Sequence, residues 1–290
     1  MKIYDLVIVG GGPAGSFLGL LLAKAGVSVV IIDAHVKKKR KICGEYLCPK
    51  GVEILWQAGC AQIAGNRRIQ GMKLVAPNGS VVPSLFPENS TQGGRAIRRD
   101  VFDQDLLNQA LQAGCDLRLG ELADFQSDGM VWRFHSQGEY FGGRFLVGAD
   151  GRQSMVAKKM GVEILATPKR VALHQYVPAA GNFLGEMHIL ADGSYVGINP
   201  TGENELNLSL VCDADQLKGK SARSAWEQLM RQSPELHSRF SAFYDREIFV
   251  TSPITHEVTN VVGNRWALIG DAAGFLDPLT GEGMYQALLS

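Results

Sequence analysis

The sequence predicts an α/β fold (α+β overall) in which a nucleotide-binding unit is interrupted by an inserted antiparallel-sheet domain. Three observations lead there. A strand, a glycine-rich turn, a helix and a second strand follow one another over residues 3–32. A long β-rich stretch then occupies residues 169–254. Beyond it the pattern returns to a buried strand at 266–269 and a helix opening at Gly281. The expected division is 1–68, 95–168 and 255–290 for the first domain, and 69–94 with 169–254 for the second.

Residues 3–9 form an apolar run, as a strand buried on both faces requires. Residues 13–25 are rich in Leu and Ala and read as a helix, with Gly26 as its C-terminal cap. Residues 28–32 are β-branched, and the whole unit has about the length a βαβ crossover needs. A basic stretch, Lys37 to Lys41, leads into Cys43-Gly44-Glu45. Residues 52–58 look helical. Short strands over 69–86 are broken by Pro77-Asn78-Gly79, a turn signal. Helical spacing resumes at 100–113, with Val101, Phe102, Asp105, Leu106, Leu107 and Ala110 on neighbouring faces. Residues 130–135 and 140–147 read as paired strands. Strands at 171–177, 186–190, 194–198 and 205–211 make up the inserted sheet, and a helix is expected at 224–230. The sequence ends at Ser290 inside a helical pattern with no cap, so a further C-terminal segment is expected beyond it.

The chain has 290 residues, of which 46% are hydrophobic, enough for a sizeable core. Its 29 basic and 29 acidic side chains cancel, which gives no global electrostatic reason to seek nucleic acid or an anionic membrane. No apolar run approaches the length of a membrane span. A signal-peptide reading fails because Asp5 interrupts the first apolar run and glycines follow at once. The five cysteines, Cys43, Cys48, Cys60, Cys115 and Cys212, show no C-x-x-C spacing. Reduced thiols in a cytoplasmic protein, with no metal site, are expected. The basic run reads as a solvated loop near phosphates.

Gly10-Gly11-Gly12-Pro13-Ala14-Gly15 satisfies G-x-G-x-x-G between a strand and a helix, the setting in which the motif binds a dinucleotide. Gly10 permits the tight turn, Gly12 lets the pyrophosphate approach the backbone, and Gly15 lets helix and strand pack closely. The helix N-terminus supplies amides and positive potential. Asp33, just past the second strand, is placed to accept two ribose hydroxyls and to repel a 2′-phosphate. The turn alone does not choose between FAD and NAD.

Two later segments do. Phe145-Leu146-Val147-Gly148-Ala149-Asp150-Gly151-Arg152 resembles the Asp-Gly motif of flavoprotein hydroxylases, and Ala267-Leu268-Ile269-Gly270-Asp271-Ala272 through Pro278 resembles their Gly-Asp motif. With the N-terminal glycines they resemble the para-hydroxybenzoate-hydroxylase-like superfamily, which also holds flavin halogenases and geranylgeranyl reductases. The resemblance implies a Rossmann-like FAD-binding domain. It implies that Asp271 bonds a ribityl hydroxyl, and that Gly281, Gly283 and Met284 present a helix N-terminus to the pyrimidine edge of the flavin. It also implies contacts from Asp150 near the pyrophosphate, from Arg99 (in an Arg-x-x-Phe-Asp-like segment) to the cofactor, and from Leu122 near the adenine. The Lys41-Ile42-Cys43-Gly44-Glu45 stretch resembles one in geranylgeranyl-reductase-like members that runs beside the flavin, which assigns Lys41 and Gly44 to the cofactor.

The resemblance further implies NADH or NADPH as transient reductant and a small-molecule substrate. Cys43, Tyr195, Asn199 and Pro278 are the candidates for lining the reaction pocket. His174 and His188 read as core or surface histidines rather than bases. Gly197 and Asn199 replace bulky aromatics of the geranylgeranyl-reductase pattern. The four tryptophans, Trp56, Trp132, Trp226 and Trp266, do not form the halogenase Trp-x-Trp pair. An NAD(P)H-using monooxygenase is the leading expectation. A double-bond reductase and a non-catalytic FAD-binding protein are the alternatives.

Overall fold

A computed structural model describes the chain except residues 36–40, 65–66, 88–92, 121, 123, 137, 166–168 and 179–183. Of the basic run, only Lys41 lies within the described residues, and it is exposed. The helices in chain order are α1 (Pro13–Lys24), α2 (Pro49–Gln57), α3 (Arg99–Gln112), α4 (Met155–Lys159), α5 (Ala222–Met230), α6 (Pro234–Phe240) and α7 (Gly283–Leu289).

The first sheet is built around β1 (Lys2–Val9). It pairs in parallel with β2 (Val29–Asp33) on one side and with the strand Glu139–Gly148 on the other. Parallel pairing continues outward to Asp116–Leu119 and to Trp266–Leu268. A parallel sheet must be covered on both faces, and this one is. Leu6 and Ile8 join Phe17, Leu20, Phe102, Leu106 and Met284 of α1, α3 and α7. Tyr4, Val7 and Val9 join Phe134, Phe141 and Trp266 on the other side. Phe134 and Phe141 come from the antiparallel hairpin of Trp132–Ser136 with Glu139–Gly148, and Trp266 from the strand Trp266–Leu268.

Two local expectations change. In α3, Val101 and Asp105 are exposed, and the buried acid is Asp103, one turn after Arg99. An aspartate takes an inward position there because Arg99 pairs with it at 2.8 Å. At the C-terminal end, helix α7 starts at Gly283, because Gly281 turns the chain with φ +68 first.

The second sheet runs in the order 249–251, 170–177, 205–213, 195–202, 184–189, 71–75, 81–85. All neighbours are antiparallel except Leu184–Ile189 with Gly71–Val75, which are parallel. The hairpin 71–85 is contributed from early in the chain and attaches to the edge of strands made much later. One face carries Leu173, Val196, Ile198, Leu208 and Leu210 against Trp226 of α5 and Phe240 of α6. By strand alternation, the other face presents His174, Tyr195, Asn199, Asn207 and Ser209 towards the loops of the first sheet.

Glu186 ties α6 to this sheet. Its carboxylate accepts from both terminal nitrogens of Arg239 at 2.8 and 2.9 Å, lies 3.5 Å from Lys73, and meets His188 Nε2 at 2.9 Å. Burial pushes this carboxyl up, but the hydrogen bonds from His188 and Arg239 and the charges of Arg239 and Lys73 outweigh it and hold it well below the usual range. Glu186, His188 and Glu235 stand close enough to share a cation. The two basic side chains already balance them, so a metal would have to displace a cation. Replacing Arg239 with Met should cost about 3 kcal/mol, because it strips a buried carboxylate of its bidentate partner. Urea midpoints at pH 7 would show it, and Glu186→Gln in the same protein should recover most of the loss.

Candidate cofactor site

At the end of β1 the chain turns at Gly10 with φ +107, where a Cβ would stand 2.3 Å from the Ala149 carbonyl oxygen. Only glycine permits this backbone crossing. Gly15 is equally enclosed, 2.0 Å from the Gly10 oxygen. Gly12 differs, since no atom lies within 4 Å of where its Cβ would be. It caps α1, with Pro13 in the first turn. The helical ladder begins with the Ser16 amide donating to the Gly12 carbonyl at 2.9 Å, so the amides of Ala14 and Gly15 precede it. Asp33 is buried and accepts from the Gly11 amide at 2.7 Å and the His35 amide at 2.9 Å. The Asp33 carboxylate therefore holds the glycine turn in place.

The Asp150 carboxylate is occupied at α4. It accepts from the Ser154 hydroxyl at 2.6 Å and the Met155 and Val156 amides at 2.7 and 3.2 Å. What reaches the glycine turn is its backbone, 2.8 Å from a Gly10 Cβ. Arg152 donates to the Pro253 carbonyl and Thr251 hydroxyl, joining the first sheet to the edge of the second. Leu122 is buried beside Phe125 and Ile32.

From the far side, Gly270 packs on Ala14, its Cβ position 2.8 Å from that of Ala14. Asp271 follows, half-buried, with its backbone hydrogen-bonded to the His256 imidazole and its carboxylate within electrostatic reach of that ring. Gly281 lies against the Tyr46 ring. In α7 the first ladder bond runs from the Gln286 amide to the Glu282 carbonyl at 2.8 Å, which leaves the amides of Gly283, Met284 and Tyr285 ahead of it. The Met284 side chain is core, so any role it has there is through its backbone.

The loop Cys43–Glu45 closes the crevice, and the second sheet holds it. Glu45 is fully buried with φ +53, a strained conformation for a residue with a Cβ. Its carboxylate accepts from the Arg99 amide at 3.1 Å and from Asn207 Nδ2 at 3.1 Å, and its carbonyl from the Ile97 amide and Asn199 Nδ2 at 2.8 and 2.7 Å. Asn207 also donates to the Cys43 carbonyl at 2.7 Å. Behind it, Ser209 donates to Asn207 Oδ1 at 3.0 Å and lies 2.8 Å from His174 Nδ1. Gly44 at the tip has nothing within 4 Å of its Cβ position. The Arg99 guanidinium is bidentate to Asp103 at 2.8 and 2.9 Å and stands against Cys43. Arg98 pairs with Asp100.

Of the four pocket candidates, Asn199 and Cys43 belong to this clamp. Tyr195 lines a cavity of about 410 Å³ between the second sheet and the segment Phe275 to Leu279, of which Pro278 is part without lining it. Glu45 and Asn207 were not singled out from sequence. The available signal was a run of polar residues, Asn199, Asn207 and Ser209, on the strand positions facing away from the leucine core.

Cutting Asn207 to Ala leaves a buried carboxylate and a carbonyl short of donors. It should cost about 2 kcal/mol, measured by urea denaturation. Burial pushes the His174 imidazole down to about 3, the Asn207 hydrogen bond opposing it only in part. Folding therefore keeps it neutral, while the unfolded chain takes up a proton near pH 6.5. The contribution is complete above that pH and is lost as pH falls towards 3. The urea midpoint should begin to drop below about pH 6.5, ahead of the carboxylates, and His174→Gln should flatten that limb.

Known proteins resemble the chain over nearly all of it. The digeranylgeranylglycerophospholipid reductase 2 of Methanosphaera stadtmanae is 28% identical over 99% of this chain and 75% of its own. The menaquinone reductase of Mycobacterium tuberculosis is 29% identical over 98% of this chain and 74% of its own. The conditioned medium factor receptor 1 of Dictyostelium discoideum is 25% identical, and the chain spans only 61% of its length. Among solved structures, the flavin-dependent brominase Bmp2 triple mutant superposes with a TM-score of 0.86 at 25% identity, covering 99% of this chain and 77% of that one. No helix among the described residues is long and apolar enough to cross a membrane. The family model described as the FAD binding domain matches residues 4–288, and the chain belongs to that family.

Proposed function

We propose that FAD lies along the crevice from the glycine turn to the Cys43–Glu45 loop, and that the protein uses it to reduce a double bond of an organic substrate with electrons from NADH or NADPH. The fit of the cofactor rests on this chain's own residues. Gly12 and Gly44 are open where a side chain would intrude, and Asp271 presents a half-buried carboxylate. Gly10, Gly12, Pro13, Ala14 and Gly15 would cradle the pyrophosphate and Asp33 the ribose of the ADP half. Asp271 would take a ribityl hydroxyl, and the first amides of α7, at Gly283 and Met284, would face the pyrimidine edge. Lys41, exposed at the crevice, is offered for the phosphates. Arg99 and Asp150 act behind the cofactor, the first by buttressing Cys43 and the second by fixing α4.

The chemistry supplied by bound FAD is two-electron transfer between a nicotinamide and an organic substrate. The residues around it orient the ring, exclude water and fix the loop that covers it. The observation that carries the reductive reading is the likeness, over 98–99% of the chain, to two proteins named as reductases. A second reading, an NAD(P)H-using monooxygenase, is favoured by the Asp-Gly and Gly-Asp segments, which resemble those of flavoprotein hydroxylases.

The two readings separate under anaerobic conditions. Flavin-loaded protein supplied with NADPH or NADH and menadione or geranylgeraniol should form reduced product without oxygen. Product that appears only when oxygen is admitted, with oxygen consumed in equal amount, would sink the reductase and support the monooxygenase. Gly12→Val should leave the melting temperature of the flavin-free protein almost unchanged and weaken FAD binding by at least about tenfold, or about 1.4 kcal/mol. Gly10→Ala should fail at folding instead. A Gly12→Val protein that binds FAD normally would remove the glycine turn from the cofactor site.

A further inference from the structure

The cavity of about 410 Å³ beside the crevice has a composition that selects its ligand. Its volume suits a small organic molecule. Its walls are mainly apolar, with Ile189 and Tyr195 on the sheet side and Phe275, Leu276 and Leu279 opposite. An arginine in such a setting ordinarily anchors a carboxylate. Among the described residues Arg170 is the only basic one of the lining, and it already stands between two acids. Its Nη1 donates to Asp213 at 3.0 Å, and its Nε lies 3.3 Å from Asp277. Glu257 is a third carboxylate on the wall. The Tyr195 hydroxyl is also committed, donating to Asp277, while its ring lies 5.6 Å from the guanidinium carbon. Among the described residues the cavity therefore offers aromatic and aliphatic surface and more carboxylates than basic groups.

We propose that this cavity binds an uncharged, flat organic ligand and that its carboxylates exclude anions of the same shape, aromatic carboxylates in particular. The inference rests on the proposed function only in calling that ligand the substrate. The segment Phe275 to Leu279 links Asp271 to Gly281, so a molecule in the cavity would lie next to the proposed flavin site. Asp213, whose side chain is 61% exposed, and Asp277 at 39% are the charges an incoming anion meets.

The test compares 2-naphthol with 2-naphthoate, which share a ring system and differ in charge, by calorimetry on the full chain with and without FAD. The naphthol should bind at least about tenfold more tightly at low salt, and the gap should narrow as ionic strength rises. Asp213→Asn should strengthen naphthoate binding severalfold more than naphthol binding. Asp245→Asn, the same change of net charge at a position whose side chain is 96% exposed and outside the cavity lining, should not. Melting curves confirm that both variants are folded. Naphthoate binding as tight as naphthol, an equal response of both aspartate variants, or no binding of either probe would each overturn the proposal. The flavin spectrum reports the cofactor separately. Selective naphthol binding by a protein that takes up no FAD would keep this inference and end the proposed function.

Discussion

The structure depends on one backbone crossing. At Gly10 the first strand turns directly over the Ala149–Asp150 peptide, with no room for a Cβ. That contact sets the ends of two parallel neighbours at one level, and the Ala149 amide bonds the Val9 carbonyl at 2.7 Å across it. Gly270 then packs on Ala14 in the next turn. Segments about 140 and 260 residues further along the chain are thereby brought to the N-terminus of α1. The N-terminal end of that helix is assembled from three distant stretches rather than carried by one motif.

The second sheet contributes by holding a loop. A buried carboxylate at Glu45 sits on strained backbone, and such strain persists only where surrounding bonds over-determine it. Two asparagine side chains from adjacent strands, opposite each other in register, supply those bonds. The sheet thus fixes the loop whose tip, Gly44, faces open space. Arg99 supports the same loop from α3, because Asp103 fixes its guanidinium against Cys43. Arg99, expected at the cofactor, also stiffens the loop beside it.

Charge is distributed with the same economy. The Glu186 network closes internally with Arg239 and Lys73 and serves packing. Among the described residues the cluster at Arg170 does not close, because one guanidinium meets two of the three carboxylates on the cavity wall. The difference between a structural ion network and a selective pocket here is one of stoichiometry and exposure, since both contain the same residue types.

Elements with strong local period were legible in the sequence. The apolar run of β1, the Gly10–Gly15 turn and the alternating strands of the second sheet depend on neighbours a few residues away. So does the placing of Asp33 at the end of β2, and three ordered motifs sufficed for the family. The tertiary structure decided what depends on distant partners. It committed the Asp150 carboxylate to α4 and Arg99 to Asp103, made Asn199 part of a clamp, and made Tyr195 the wall of a cavity. It also ran the hairpin 71–85 parallel to its neighbour. Sequence determines which groups a segment offers; only the fold brings the partner that decides whether a carboxylate caps a helix, balances an arginine or stays free for a ligand.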